Sequence, residues 1–379
     1  MAIGDFDEYI KQSEPHKREK GYAWQTAIGL QAVDGLKPSD YLIETARRDI
    51  EGEITIDEAE QLIKSYYQSK EIRTVEDDEK HEADLASTNI RRILAEKTFA
   101  FTLVGLTSIH HRIFDGVFKF AGKIRDYNIT KKEWVLHGDT VLYVSAPDIR
   151  RAVEYDLEQE LAFDYSQVNR YGLVEHIAKF VSGLWQIHPF SEGNTRTTAV
   201  FTVLYLRSMG FNIENNLFAK HSWYFRNALV RANYQNVQKG IIRDSDFLIR
   251  IFRKLLLGEE NELKNRHMIV NIPKVQKKKE EPHPTTTQQL PNNFSTTTQQ
   301  VFELVKTVGN KNMSVKEMMA IIGLKDRVNF LKNYLNPAIQ ENVLKLLYLD
   351  KPNHPRQKYL LTVKGMAIFN DINNQAKEQ

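Results

Sequence analysis

Apolar positions along this chain recur mostly at helical spacing, three or four residues apart, rather than in strand-like alternation. Tyr22 to Leu30 carries an apolar face that Gly35 and Pro38 interrupt. Ser39 predicts the cap of a helix running to about Ile50, and Asp57 the cap of another through Tyr67. Glu71 to Asp84 is strongly charged and poor in apolar residues, the signature of a solvated connection or an exposed helix. Apolar spacing returns from Leu85 to Phe118, enough for one or two helices, and again over 148–169 after Pro147, with Asp148 near the N-terminus. Val174 to Ile187 reads as a further helix. Thr197 to Arg207 is apolar nearly all round, which predicts a buried one. An aromatic helical stretch, Trp223 to Tyr234, and an apolar helix, Phe247 to Leu257, close this part of the chain.

One stretch breaks the helical pattern. The β-prone runs Lys132–Leu136 and Thr140–Val144 flank His137-Gly138-Asp139, which predicts a tight hairpin. Residues 271–300 are rich in Lys, Pro, Thr and Gln and read as a linker. Beyond it, helices are predicted over Val301–Val308, from the Ser314 cap to Ile322, and from Asp326 to Ala338. The strand Tyr359–Thr362 follows a wing-like Pro352–Lys358. Three helices and a hairpin make a winged helix-turn-helix. The expected fold is mainly α, divided into 1–70, 71–270, the linker 271–300, and 301–379.

Composition narrows the class. With 52 Lys and Arg against 49 Asp and Glu, the net charge of +3 gives no global case for nucleic-acid binding. The absence of cysteine excludes disulfides, thiolate nucleophiles and cysteine-based zinc sites, and fits a reducing compartment. No apolar run reaches the roughly 18 residues of a membrane span, and the acidic, polar N-terminus is unlike a secretion signal. The expectation is a soluble, cytoplasmic protein without membrane partners. His110 and His111 are adjacent on a predicted helix, so they point about 100° apart and serve packing rather than a shared metal.

The concentrated chemistry lies between the two central helices, in His188-Pro189-Phe190-Ser191-Glu192-Gly193-Asn194-Thr195-Arg196. Pro189 limits continuation of the first helix, and Gly193-Asn194 tolerates turn geometry. The second helix then opens with the N–H groups of about Gly193 to Thr195 facing the loop, a site for an anion. Arg196 in the first turn opposes the helix dipole unless an anion compensates. Glu192 can hold a divalent cation that bridges phosphate oxygens, and His188 can accept a proton at neutral pH. A turn with a packed histidine and solvated charges is the plainer alternative for any one of these residues. The combination points to phosphate chemistry.

This stretch resembles the signature of Fic-domain proteins, HPFx(D/E)GN(G/K)RxxR, departing from it at Thr195 and at Ala199, which stands where the second Arg belongs. Phe120-Ala121-Gly122-Lys123-Ile124-Arg125 is similar to the family segment that precedes its flap. The resemblance implies a Fic-type helical bundle with a β-hairpin flap, and transfer of AMP from ATP to a Ser, Thr or Tyr hydroxyl of a protein target, possibly the protein itself. It further implies His188 as general base, Glu192 as the Mg²⁺ ligand, and Gly193, Asn194, Thr195 and Arg196 as phosphate binders. Tyr224 and Asn227, on the aromatic helix, would lie near the adenine, and Trp134, Val135 and Leu136 would form the target-binding flap.

Leu30 to Pro38 resembles the short antitoxins of the VbhA type that silence Fic domains through (S/T)xxxE(G/N), with Asp34 in place of the Glu and Leu30 in place of the Ser or Thr. Glu51, in Ile50-Glu51-Gly52, is a second regulatory candidate. The 301–379 unit is similar to winged-helix appendages of Fic proteins and implies a DNA or protein partner, with Lys325, Arg327, Asn329 and Lys332 on a recognition helix and Arg356 and Lys358 on the wing. The alternatives are a Fic-fold transferase with another nucleotide or phospho-donor, which Ala199 makes plausible, and a DNA-binding or interaction protein on a degenerate Fic scaffold.

Overall fold

The computed structural model describes residues 6–11, 14–70, 72, 74–96, 98–213, 217–270 and 298–377. The sequence-predicted linker lies almost wholly outside them. The described chain is mainly helical. The N-terminal part comprises α1 (Asp7–Lys11), α2 (Pro15–Gly29) continued by a 3₁₀ turn (Leu30–Asp34), α3 (Asp40–Glu51) and α4 (Ile56–Gln68). Ser39 caps α3 as expected, accepting from Leu42 N–H, whereas α4 is capped by Thr55 and not Asp57. Thr55 and Glu58 form a capping box, which satisfies two end N–H groups where Asp57 would satisfy one.

The charged stretch after residue 70 is not a connection: Thr74 caps α5 (Val75–Leu94), which runs straight through it. Its charges are amphipathic. Asp84 is buried and accepts from Ser39 N (2.8 Å), Ser39 Oγ (2.5 Å) and Tyr67 Oη (2.8 Å), tying α3 and α4 to α5. Asp49 on α3, also buried, accepts from Trp24 Nε1 (2.8 Å) on α2 and pairs with Arg91 (3.0 Å) on α5. The N-terminal helices are therefore built into the fold through buried polar groups whose loss would be costly.

α6 (Leu103–Phe114), α7 (Ile149–Ala162), α8 (Arg170–Ile187), α9 (Asn194–Ser208), α10 (Leu217–Asn233) and α11 (Asp246–Phe252) complete the central bundle. α9 is buried from Asn194 to Leu206, as its all-round apolar sequence predicts, and packs against α6, α8 and the 3₁₀ turn. α2 crosses α10 at Gly29, where a Cβ would stand 2.3 Å from the Ala219 Cα; only glycine permits this approach. That crossing carries the Leu30–Asp34 turn to the start of α9.

The predicted hairpin does not form. Lys132–Leu136 and Thr140–Val144 hold no ladder; Trp134–Leu136 is a 3₁₀ turn, closed by Glu133 N to Asp139 O (3.0 Å), and the following segment is extended but unpaired as a strand. Burial decides this. Val135, Leu136 and Val141 sink into the core and Glu133 is buried against Arg226, so the segment wraps the bundle rather than standing out as a two-stranded ribbon.

After residue 298, α12 (Gln299–Val308), α13 (Val315–Ile322), α14 (Arg327–Phe330), which runs through a π turn into α15 (Asn336–Gln340), and the antiparallel pair β1 (Leu344–Leu346) and β2 (Tyr359–Leu361) give the three helices and wing read from the sequence. The final helix, α16 (Val363–Lys377), packs on α8. Arg170 pairs with Asp371, and Asn370 donates to Ser166 O (2.9 Å) and Val168 O (3.0 Å). Its core is continuous with that of the central bundle.

Candidate active site

The loop between α8 and α9 is held from several sides. His188 ends α8 in the left-handed region (φ 53°). Arg125, buried, donates from Nε to His188 O (2.8 Å), from its terminal nitrogens to Tyr127 O (2.7 Å) and Val144 O (2.5 Å), and its backbone N–H donates to Pro189 O (3.0 Å). Asn194 closes the turn on itself: Oδ1 accepts from Phe190 N (2.9 Å) and Nδ2 donates to Phe190 O (2.7 Å). Its amide thus positions the helix N-terminus and is not presented as a free donor. Thr195 Oγ1 accepts from Trp185 Nε1 (3.0 Å), so the hydroxyl joins the two helices. Gly193 has φ 75°, and a Cβ there would lie 2.2 Å from the Phe114 ring, so no other residue fits.

His110 supports the loop by hydrogen bonds as well as by packing. Its Nδ1 accepts from Gly122 N (2.8 Å), so its Nε2 carries the hydrogen and donates to Glu192 O (3.0 Å). The ring stacks on Phe190 at 3.8 Å, and burial lowers its pKa to about 4. His111 contacts Ala121 O (3.2 Å) from an exposed position.

His188 itself is buried, its ring 4.1 Å from Tyr143 and edge-on to Trp185. Nδ1 lies 3.1 Å from Trp185 O; a carbonyl only accepts, so Nδ1 holds the hydrogen and Nε2 the lone pair. Burial, helped by Lys131, holds its pKa well below the ordinary 6.5, so the ring is neutral at pH 7. Glu192 is exposed and pairs with Lys131 (2.7 Å).

Arg196 is fully enclosed. Nε lies 2.8 Å from Asp34 Oδ2, one terminal nitrogen donates to Gln31 Oε1 (2.9 Å), the other to Glu82 Oε1 (2.6 Å), and the guanidinium sits over the Phe114 ring at 4.6 Å. Asp34 therefore reaches the loop. Glu51 does not: it pairs with Lys17 (2.9 Å) on the outer side of α3. Ala199 is buried in the core of α9 and leaves no cation at that position.

Tyr224 and Asn227 lie buried on α10, with Asn227 Nδ2 donating to Asn265 Oδ1 (2.8 Å) while its Oδ1 is buried without a partner among the described residues. Of the three expected flap residues only Trp134 is exposed, beside Trp223 at 6.4 Å. Val135 and Leu136 face the core and Val135 O accepts from Val270 N (2.9 Å), so they offer no surface for a target.

Four residues escaped the sequence reading. Glu82 had a local signal, since it falls one turn before Leu85 and Ala86 and two turns before Asn89 on the inward face of α5. Lys131, and the buried pair of Glu133 with Arg226 (2.8 Å), had none, because their partners are remote in sequence.

The sequence profile of the Fic/DOC family matches residues 100–206, the span that holds α6, the wrapped segment and the α8–α9 loop. Residues 100–206 therefore carry a Fic domain. A second profile, that of the C-terminal domain of the Fic-like "filamentation induced by cAMP" proteins, matches residues 299–362. Among solved structures the chain is similar to a Fic family protein from Desulfovibrio desulfuricans G20, at 17% identity over 95% of this chain and 93% of that one, with a TM-score of 0.42. It is also similar to the N-terminal Fic domain of a VirB-translocated Bep effector protein from Bartonella quintana, at 20% identity over 49% of this chain and 84% of that one, with a TM-score of 0.38. Outside the Fic domain, no helix among the described residues is long and apolar enough to cross a membrane, and the same holds within it.

Proposed function

We propose that this Fic-domain protein is a protein adenylyltransferase that moves AMP from ATP to a hydroxyl side chain of a protein. The observation that carries the reading is the state of His188: neutral, with its hydrogen held on Nδ1 by the Trp185 carbonyl, beside the N-terminus of α9. A base so prepared needs no prior deprotonation to take a proton. The target hydroxyl oxygen attacks the α-phosphorus of ATP, its proton passes to His188 Nε2, and the bond from the α-phosphorus to the bridging oxygen breaks. AMP stays on the target and pyrophosphate leaves. The N–H groups opening α9 face charge that grows on the α-phosphate oxygens.

Arg196, once released from Asp34 and Glu82, is the cation for the polyphosphate. Glu192 suits Mg²⁺ because it is an exposed carboxylate at the loop's mouth. Among the described residues no cluster of three or more His, Cys, Asp or Glu could hold a metal unaided, which fits an ion that keeps waters and takes its remaining ligands from phosphate. Bound there, Mg²⁺ would neutralise phosphate charge.

Incubating the full chain with candidate proteins and ATP labelled at the α- or at the γ-phosphate tests the reading. Label retained only from the α-position is expected. Retention from the γ-position would indicate phosphoryl transfer, and retention of neither, with any nucleotide, a non-catalytic scaffold.

A further inference from the structure

Four described cations stand around the α8–α9 loop, and they differ in what holds them. Arg125 is buried and spends its guanidinium on backbone carbonyls. Arg226 is gripped by both oxygens of buried Glu133, at 2.8 and 3.2 Å. Arg196 is enclosed by Asp34, Gln31 and Glu82. Lys131 alone is held by an exposed carboxylate, that of Glu192, at 2.7 Å, and Glu192 is half exposed (51%). Its backbone is anchored, since Lys131 N donates to Thr140 Oγ1 (3.2 Å), so only the four-carbon side chain needs to move.

We propose that Lys131 is the second phosphate-binding cation of the site, supplying the charge that position 199 lacks, and that it passes from Glu192 to donor phosphate when a divalent cation arrives. This rests on the adenylyltransferase reading. An ammonium and a divalent cation compete for one carboxylate oxygen. Glu192 would favour the more highly charged divalent ion, and the Lys131 ammonium would then be repelled from the carboxylate. Nζ, freed from Glu192, would stay on its short tether within reach of donor phosphate. Lysine suits this exchange better than arginine, because it is a compact charge on a flexible stem with no planar geometry to satisfy. The buried Ala199 cannot share the task. Burial foremost, with the Lys131 charge adding to it, holds the His188 pKa below its ordinary value.

The test uses the full-length protein with Lys131→Met and Lys131→Arg, all checked for unchanged thermal melting. Two ligands are titrated by calorimetry in Mg²⁺, AMP and the α,β-methylene analogue of ATP, and Mn²⁺ alone is titrated by paramagnetic resonance. The expected result for Lys131→Met is about a tenfold or greater loss of ATP-analogue affinity, the range of a charge-assisted contact, with AMP affinity changed less than about twofold. Lys131→Arg recovers most of the loss. Mn²⁺ alone binds Lys131→Met several-fold more tightly, because the competing ammonium is gone. Equal losses for AMP and the ATP analogue, or unchanged ATP-analogue affinity, would overturn the proposal. Wild-type protein that binds Mn²⁺ at Glu192 but no nucleotide would instead overturn the adenylyltransferase reading and this proposal with it.

Discussion

The Asp34 carboxylate lies 2.8 Å from Nε of Arg196, although the two residues belong to the N-terminal segment and the start of α9. The same guanidinium also meets Glu82 (2.6 Å) and Gln31 (2.9 Å). Whatever anion is to use Arg196 must first displace these partners.

Asp34→Ala alone leaves Glu82 and Gln31 in place. Asp34 is partly exposed and is one of three groups on Arg196, so transfer should rise a few-fold at most. Asp34→Ala with Glu82→Ala leaves the enclosed Arg196 without a carboxylate, which destabilises the free protein and favours nucleotide. The double variant should melt lower, and ATP should raise its melting temperature more than the two single variants together. A full activation by Asp34→Ala alone would mean that this one carboxylate is the switch.

His188→Ala should abolish transfer and leave nucleotide affinity nearly unchanged, because it removes the proton acceptor and no phosphate contact. Since burial holds the His188 pKa well below 6.5, kcat/KM should stay flat from pH 8 down past 6.5 and fall only in more acid solution. An inflection at 6.5 would show a solvated ring.

His110 should make stability depend on pH. Its folded pKa of about 4 lies below the unfolded value of 6.5, so the unfolded chain binds the extra proton between those limits. The stability it contributes is fully present above pH 6.5 and is lost as pH falls toward 4, by about 3 kcal/mol at most. Urea unfolding of wild type and His110→Asn, compared across that window, isolates the effect. Parallel curves for the two proteins would rule it out.

Gly29→Ala should separate α2 from α10, because its Cβ would meet the Ala219 backbone at 2.3 Å. A cost of about 1–3 kcal/mol is expected for such overpacking. The displaced Leu30–Asp34 turn should at the same time loosen its hold on Arg196. A lower melting temperature with higher transfer activity is the expected pair of results, and a lower melting temperature with unchanged activity would show that the turn does not restrain the site.

The loop chemistry was legible in the sequence because its residues are neighbours: His188 to Arg196 need only one turn between two helices to converge, and the apolar runs on either side declare those helices. The mainly α architecture and the winged C-terminal unit followed from the same local periods. What the tertiary structure decided are contacts with no period to announce them. Arg196 meets Glu82 and Gln31 across 114 and 165 residues, and the choice of Asp34 over Glu51 as its partner depends on how Gly29 lets α2 cross α10. The flap shows the same limit. Its β-prone residues and Gly-Asp turn are sound local signals, but core burial of Val135, Leu136 and Val141 outweighed the gain of a two-stranded ladder.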